Sequence, residues 1–151
     1  MDIFYKLLLA LAAAFAVYRI FKTKKLIPAL ISIGMIVGIV MVIFPSLTML
    51  MPGFYVYLAF TAMAFVYGLT ANAKNLGERF IICLMSAPIF VYWLWVLNHW
   101  HGNEILAPIL VILTALVGLI SKAKLNNELG FLTILLVDAI AIILEILIKT
   151  I

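Results

Sequence analysis

Apolar positions in this chain gather into six long runs, parted by short polar interruptions. The runs are Ile3–Phe21, Leu26–Phe44, Phe54–Ala71, Phe80–Leu97, Ile105–Ser121 and Gly130–Lys149. Each is near the ~17–25 residues a helix needs to cross a bilayer. None alternates with the period of two that marks a half-buried strand. The pattern predicts an all-α integral membrane protein, a compact bundle of six transmembrane helices with short loops and a single domain over residues 1–151. The first run opens like a signal peptide, with Lys6 before Leu7–Ala13, but it continues to Phe21 and reads as a retained helix.

Composition agrees with the pattern. The chain is 68% hydrophobic and 11% charged over 151 residues, whereas a soluble domain is about half apolar and a quarter charged. A core this small cannot hide that excess, so the lipid bilayer is the expected solvent for most of its surface.

Charge placement sets orientation. Arg19, Lys22, Lys24 and Lys25 follow the first run, Lys74 and Arg79 the third, and Lys122 and Lys124 the fifth. With six crossings, these eight of the ten basic residues share one side. The positive-inside rule then predicts an inner-membrane protein with cytoplasmic basic loops and both termini outside. Tyr5, Tyr55, Tyr57, Trp93, Trp95 and Trp100 fall toward the outer interface, and Tyr18, Phe21, Tyr67 and Phe80 toward the inner one. Interfacial anchoring is the expectation for all of them.

Residues 28–38 of the second run can be laid on residues 108–118 of the fifth, matching Pro28 with Pro108 and Gly38 with Gly118. Three helices per half would give a 3+3 inverted repeat, an arrangement that builds many transporters. The other runs align poorly.

The candidate chemistry centres on the sixth run. Asp138 lies near its middle, and Glu145 follows seven residues later on the same helical face. Intramembrane carboxyls are costly and normally face protein or a water-filled cavity. Lys149, four residues beyond Glu145, stands in the favourable order for an ion pair. Asp138 has no such local partner. The polar groups expected at its depth are Thr61, Ser86 and Thr114. Burial without a countercharge disfavours an ionised carboxylate, and a carboxyl that is neutral at rest suits a proton carrier. The bland alternative is a protonated Asp serving as interhelical glue. Pro88 frees a backbone carbonyl near the same depth, and a kink there would add a polar pocket.

Gly34 and Gly38 form a G-x-x-x-G strip for close helix packing, within the bundle or in a homodimer. His99, His101 and Glu104 in the most polar loop are weak metal-ligand candidates. The single Cys83 reads as a small buried hydrophobe. There is no glycine-rich phosphate loop, no G-x-S-x-G and no C-x-x-C. No cofactor is expected, and the basic residues are too scattered for a nucleic-acid surface.

Three functions fit, in descending order. The first is a transporter or channel-like protein using Asp138 for proton or ion coupling. The second is a non-catalytic transmembrane subunit of a larger complex. The third is an intramembrane lipid-modifying enzyme, for which no nucleophile and base are evident.

Overall fold

A computed structural model describes residues 3–44, 50–71, 74–99 and 103–150, the last two by their helical backbone alone. The described residues form six helices and no strand: α1 (Ile3–Ile20), α2 (Leu26–Ile43), α3 (Leu50–Thr70), α4 (Leu76–Leu97), α5 (Leu106–Ile120) and α6 (Leu129–Thr150). Five of them are long and apolar enough to cross a membrane. The exception is α5. Its 15 residues span about 22 Å at 1.5 Å per residue, short of the ~30 Å hydrocarbon core.

Two helices begin four residues before their apolar runs. In α3 the added turn takes in Pro52 at the third position, where a missing N–H costs little because first-turn donors have no intrahelical partner. Pro28 and Pro108 stand at the same third position of α2 and α5. In α4 the added turn is started by Asn75, whose side chain accepts from the Glu78 N–H at 2.9 Å. This turn is polar, so hydropathy passes over it. The α4 helix runs unbroken through Pro88.

Consecutive helices pack on one another, and α6 closes the ring against α1. The α6 backbone also approaches α2 and α4, and the side chain of Asp138 reaches α3. It is the hub of the bundle. Its inward residues Phe131, Ile134, Leu135, Ala139 and Ile142 are almost wholly buried. Large apolar side chains such as Leu7, Leu30, Val66 and Leu113 point outward instead, a surface suited to lipid rather than water.

The G-x-x-x-G strip lies inside the bundle. A methyl group on Gly38 would meet the Tyr57 backbone nitrogen at 2.8 Å, and one on Gly34 would strike the Phe60 ring. Both contacts are with α3. Gly118, the counterpart of Gly38 in the proposed repeat, faces Ile81 of α4 instead. The second and fifth helices therefore start in step, 80 residues apart, but pack in different surroundings.

One end of the bundle gathers the α1–α2, α3–α4 and α5–α6 connections, which carry most of the basic residues. It is called the basic end below; the other, where α1 begins and α6 ends, is the terminal end. Residues 124–128 tie the basic end together. Arg19 donates to the Asn126 carbonyl at 2.7 Å, the Lys24 N–H to the Asn127 side chain at 3.1 Å, and the Lys74 ammonium to the Lys124 carbonyl at 2.7 Å. Arg79 caps the end of α3 through the Gly68 and Leu69 carbonyls.

Candidate functional site

Asp138 is 1% exposed, turned into the bundle from α6. Three helices supply donors to its carboxylate. Tyr5 of α1 donates to Oδ1 at 2.6 Å. Tyr57 of α3 and the Trp93 indole N–H of α4 both donate to Oδ2, each at 2.8 Å. Among the described residues these partners are all neutral. A polar group so deeply buried must be hydrogen-bonded to be tolerated, and three bonds take most of the acceptor capacity of a carboxylate.

Beside it lies a cavity of about 10 Å³, bordered by Tyr5, Leu9, Ile39, Phe54, Tyr57 and Trp93 among others. That is at the lower bound for one water molecule. Phe54 packs on Trp93 with ring centroids 5.0 Å apart, which helps hold the indole in line with Oδ2.

The expectation of interfacial anchoring fails for Tyr5, Tyr57 and Trp93, all buried at Asp138. Each has an apolar body and one polar tip, and the tip has a buried acceptor to satisfy. A faint signal exists on α3: Tyr57, Thr61, Ala64 and Gly68 recur at helical spacing and all are buried. A stripe of small and hydroxylated residues on an otherwise bulky helix marks an inward face.

The hydroxyls expected around Asp138 bond elsewhere. Thr61 donates to the Tyr57 carbonyl at 2.9 Å, Ser86 to Ile82 at 2.7 Å and Thr114 to Leu110 at 2.7 Å. Each thus satisfies itself on its own helix, four residues back. Thr114 lines a different cavity, about 510 Å³ between α4 and α5 toward the basic end, together with Asn75, Glu78 and Ser121. Cys83 is half-buried, its thiol 3.8 Å from the Phe65 carbonyl.

Glu145 is half-buried on α6, and the side chain of Lys149, its expected partner, lies outside the described residues. So does His101. His99 is exposed and has a left-handed backbone, φ 53°, while Glu104 is exposed across the loop. Among the described residues no three His, Cys, Asp or Glu side chains gather to hold a metal.

A second buried carboxylate went unmarked in the sequence. Glu128, just before α6, is 0% exposed. Tyr67 donates to its Oε1 at 2.8 Å. The Lys74 ammonium stands 2.9 Å from Oε2, an ion pair at contact distance. Lys74 is also 3.9 Å from Glu78. Tyr67, expected as an anchor, is instead buried edge-on against Phe131. Glu128 adjoins two asparagines at the mouth of an apolar run, so it reads as a loop charge.

No protein-family model, no curated protein and no solved structure matches the chain.

Proposed function

We propose that this chain is a small polytopic membrane protein that moves a proton or a small ion, with Asp138 as the group that takes it up and releases it. The observation that carries the reading is a fully enclosed carboxyl with neutral partners on three other helices, beside space for about one water. A structural carboxylate needs no such space, whereas a working one does.

The hydrogen-bond pattern supports a simple protonation step. Trp93 N–H can only donate, so Oδ2 stays an acceptor in either state. Oδ1 has one partner, the Tyr5 hydroxyl, which can donate or accept. A proton arriving on Oδ1 reverses that single bond, and the bonds from Tyr57 and Trp93 stand. The charge of the site changes with little movement around it.

In this reading all six helices cross the membrane. The basic end faces the cytoplasm and both termini lie outside, as the positive-inside rule directs. Local thinning of the bilayer accommodates the short α5. The matched starts of α2 and α5 suit a 3+3 inverted repeat. Cysteines placed at Asn103 and Lys122 test the topology with an impermeant thiol reagent on intact cells. Labelling at Asn103 alone is expected, and labelling at Lys122 alone reverses the orientation.

The decisive experiment is Asp138→Asn. Its amide oxygen can keep the bonds from Tyr57 and Trp93, while its NH₂ donates to the Tyr5 oxygen, so the bundle should still fold. Proton or ion flux into liposomes containing the purified protein should be lost. Full flux in this variant removes the mechanism. It would promote the second reading, a non-catalytic subunit of a membrane complex, which the short α5 and its exposed Leu113, Leu116 and Val117 favour.

A further inference from the structure

The geometry points to a binding site for a small monovalent cation at the basic end, built by Glu128, Glu78 and the Lys124 carbonyl and filled in this structure by the ammonium of Lys74. The inference goes beyond the role of Asp138 and does not depend on it.

Three oxygens converge on the Lys74 nitrogen. The Lys124 carbonyl oxygen is 2.7 Å away, Glu128 Oε2 2.9 Å and Glu78 Oε2 3.9 Å. The Lys74 side chain is 7% exposed, so its charge is held inside the protein rather than in water. Glu128 Oε2 is fully buried, and among the described residues its ion-pair partner is the Lys74 ammonium.

The cage stands without Lys74. Each carboxylate is pinned through its other oxygen by a separate donor: Glu128 Oε1 by the Tyr67 hydroxyl at 2.8 Å, Glu78 Oε1 by the Lys124 N–H at 3.0 Å. Those donors belong to α3 and to the α5–α6 connection. Lys74 comes from the α3–α4 connection, on a flexible four-carbon stem. Preorganised oxygens and a tethered cation are the parts of an exchangeable site. Two carboxylates against one ammonium leave the cage one negative charge in excess, which favours keeping a cation there. A free ion with the size and charge of ammonium or sodium replaces Lys74 with no change in that balance. Lys74 is then released toward water, which unties the α3–α4 connection from residues 124–128.

The test uses the full chain purified in detergent. Thermal unfolding of wild type and Lys74→Met is followed in ammonium, sodium, calcium and choline chloride at constant ionic strength. Wild type should respond to ammonium or sodium less than Lys74→Met does, because the ion must first displace its own ammonium. Lys74→Met should be stabilised saturably by ammonium or sodium relative to choline, and Lys74→Met/Glu128→Gln should not respond. A flat Lys74→Met, an equal response in the double variant, or a response to calcium alone overturns the assignment. Should Lys74→Met fail to fold, the wild type still decides. Acylation of Lys74, read by mass spectrometry, should be faster in sodium than in choline, and equal rates overturn the exchange.

Discussion

Two sites along the α3–α6 pair pose the same problem and solve it differently. Tyr57 meets Asp138 near the middle of α6, and Tyr67 meets Glu128 at the basic end. Both tyrosines lie ten residues apart on α3 and both carboxylates ten residues apart on the α6 side, about 15 Å at helical rise, in antiparallel register. Each carboxyl is 1% exposed or less. At Glu128 the charge is answered by a charge, Lys74. At Asp138 it is answered by dipoles alone. Removing one partner of a buried ion pair strands the other, whereas a group held by neutral donors leaves no orphaned charge when it is replaced. The same tyrosine–carboxylate contact is therefore completed by a charged partner at one site and by neutral donors at the other.

The largest expected effect comes from breaking the charged pair. Glu128→Leu strands the Lys74 ammonium and should cost about 3 kcal/mol, the low end for an orphaned buried charge because Glu78 and a carbonyl remain beside it. Lys74→Met/Glu128→Leu should recover most of that loss, since apolar replacement of a whole buried pair is often neutral. Denaturant unfolding in detergent measures both, and a double variant no better than the single would mean that the pair acts separately.

Gly38→Ala probes the wall behind Tyr57. The added methyl meets backbone, which cannot swing aside, so about 2 kcal/mol is expected from overpacking. Gly34→Ala meets only the movable ring of Phe60 and should cost less. A reversed order would mean that α3 does not approach α2 as described.

Tyr57→Phe and Tyr67→Phe compare the two sites directly. Each removes one donor and should cost about 1 kcal/mol. The effect of Tyr57→Phe should vanish in an Asp138→Leu background, and that of Tyr67→Phe in a Glu128→Leu background. Unchanged costs in those backgrounds would break the pairing. Smallest of all is Ser86→Ala. Its hydroxyl bonds to its own helix, so a change within about 0.5 kcal/mol is expected, and a larger loss would tie Ser86 to something beyond α4.

How much was legible follows from the physics of each residue. The helices were, because hydropathy depends on the local run alone; the first turns at Leu50 and Leu76 contain a proline or polar residues, which an apolar run does not include. Asp138 was legible as an anomaly, an acid near the middle of an apolar run. Its partners were not. Tyr5, Tyr57 and Trp93 are amphipathic, and a ring with one polar tip is equally at home at a membrane interface or over a buried acceptor. Thr61, Ser86 and Thr114 misled for the opposite reason: a hydroxyl in a helix can satisfy itself on the carbonyl four residues back and needs no neighbour.

The sequence by itself determined the material: apolar helices, short connections, basic residues gathered on alternate connections, and an acid where an acid is expensive. Those properties follow from the solvation of each segment and survive any arrangement of the helices. Tertiary structure decided which polar tips meet. It turned Asp138 toward Tyr5, Tyr57 and Trp93, covered Gly34 and Gly38 with α3, and made Glu128 and Lys74 a buried pair out of two residues that read as loop charges. The polar pairings at Asp138 join residues from 45 positions apart, for Trp93, to 133, for Tyr5. They depend on the rotation of each helix about its axis, and in a chain apolar on nearly every face the hydropathy of a single helix does not fix that rotation.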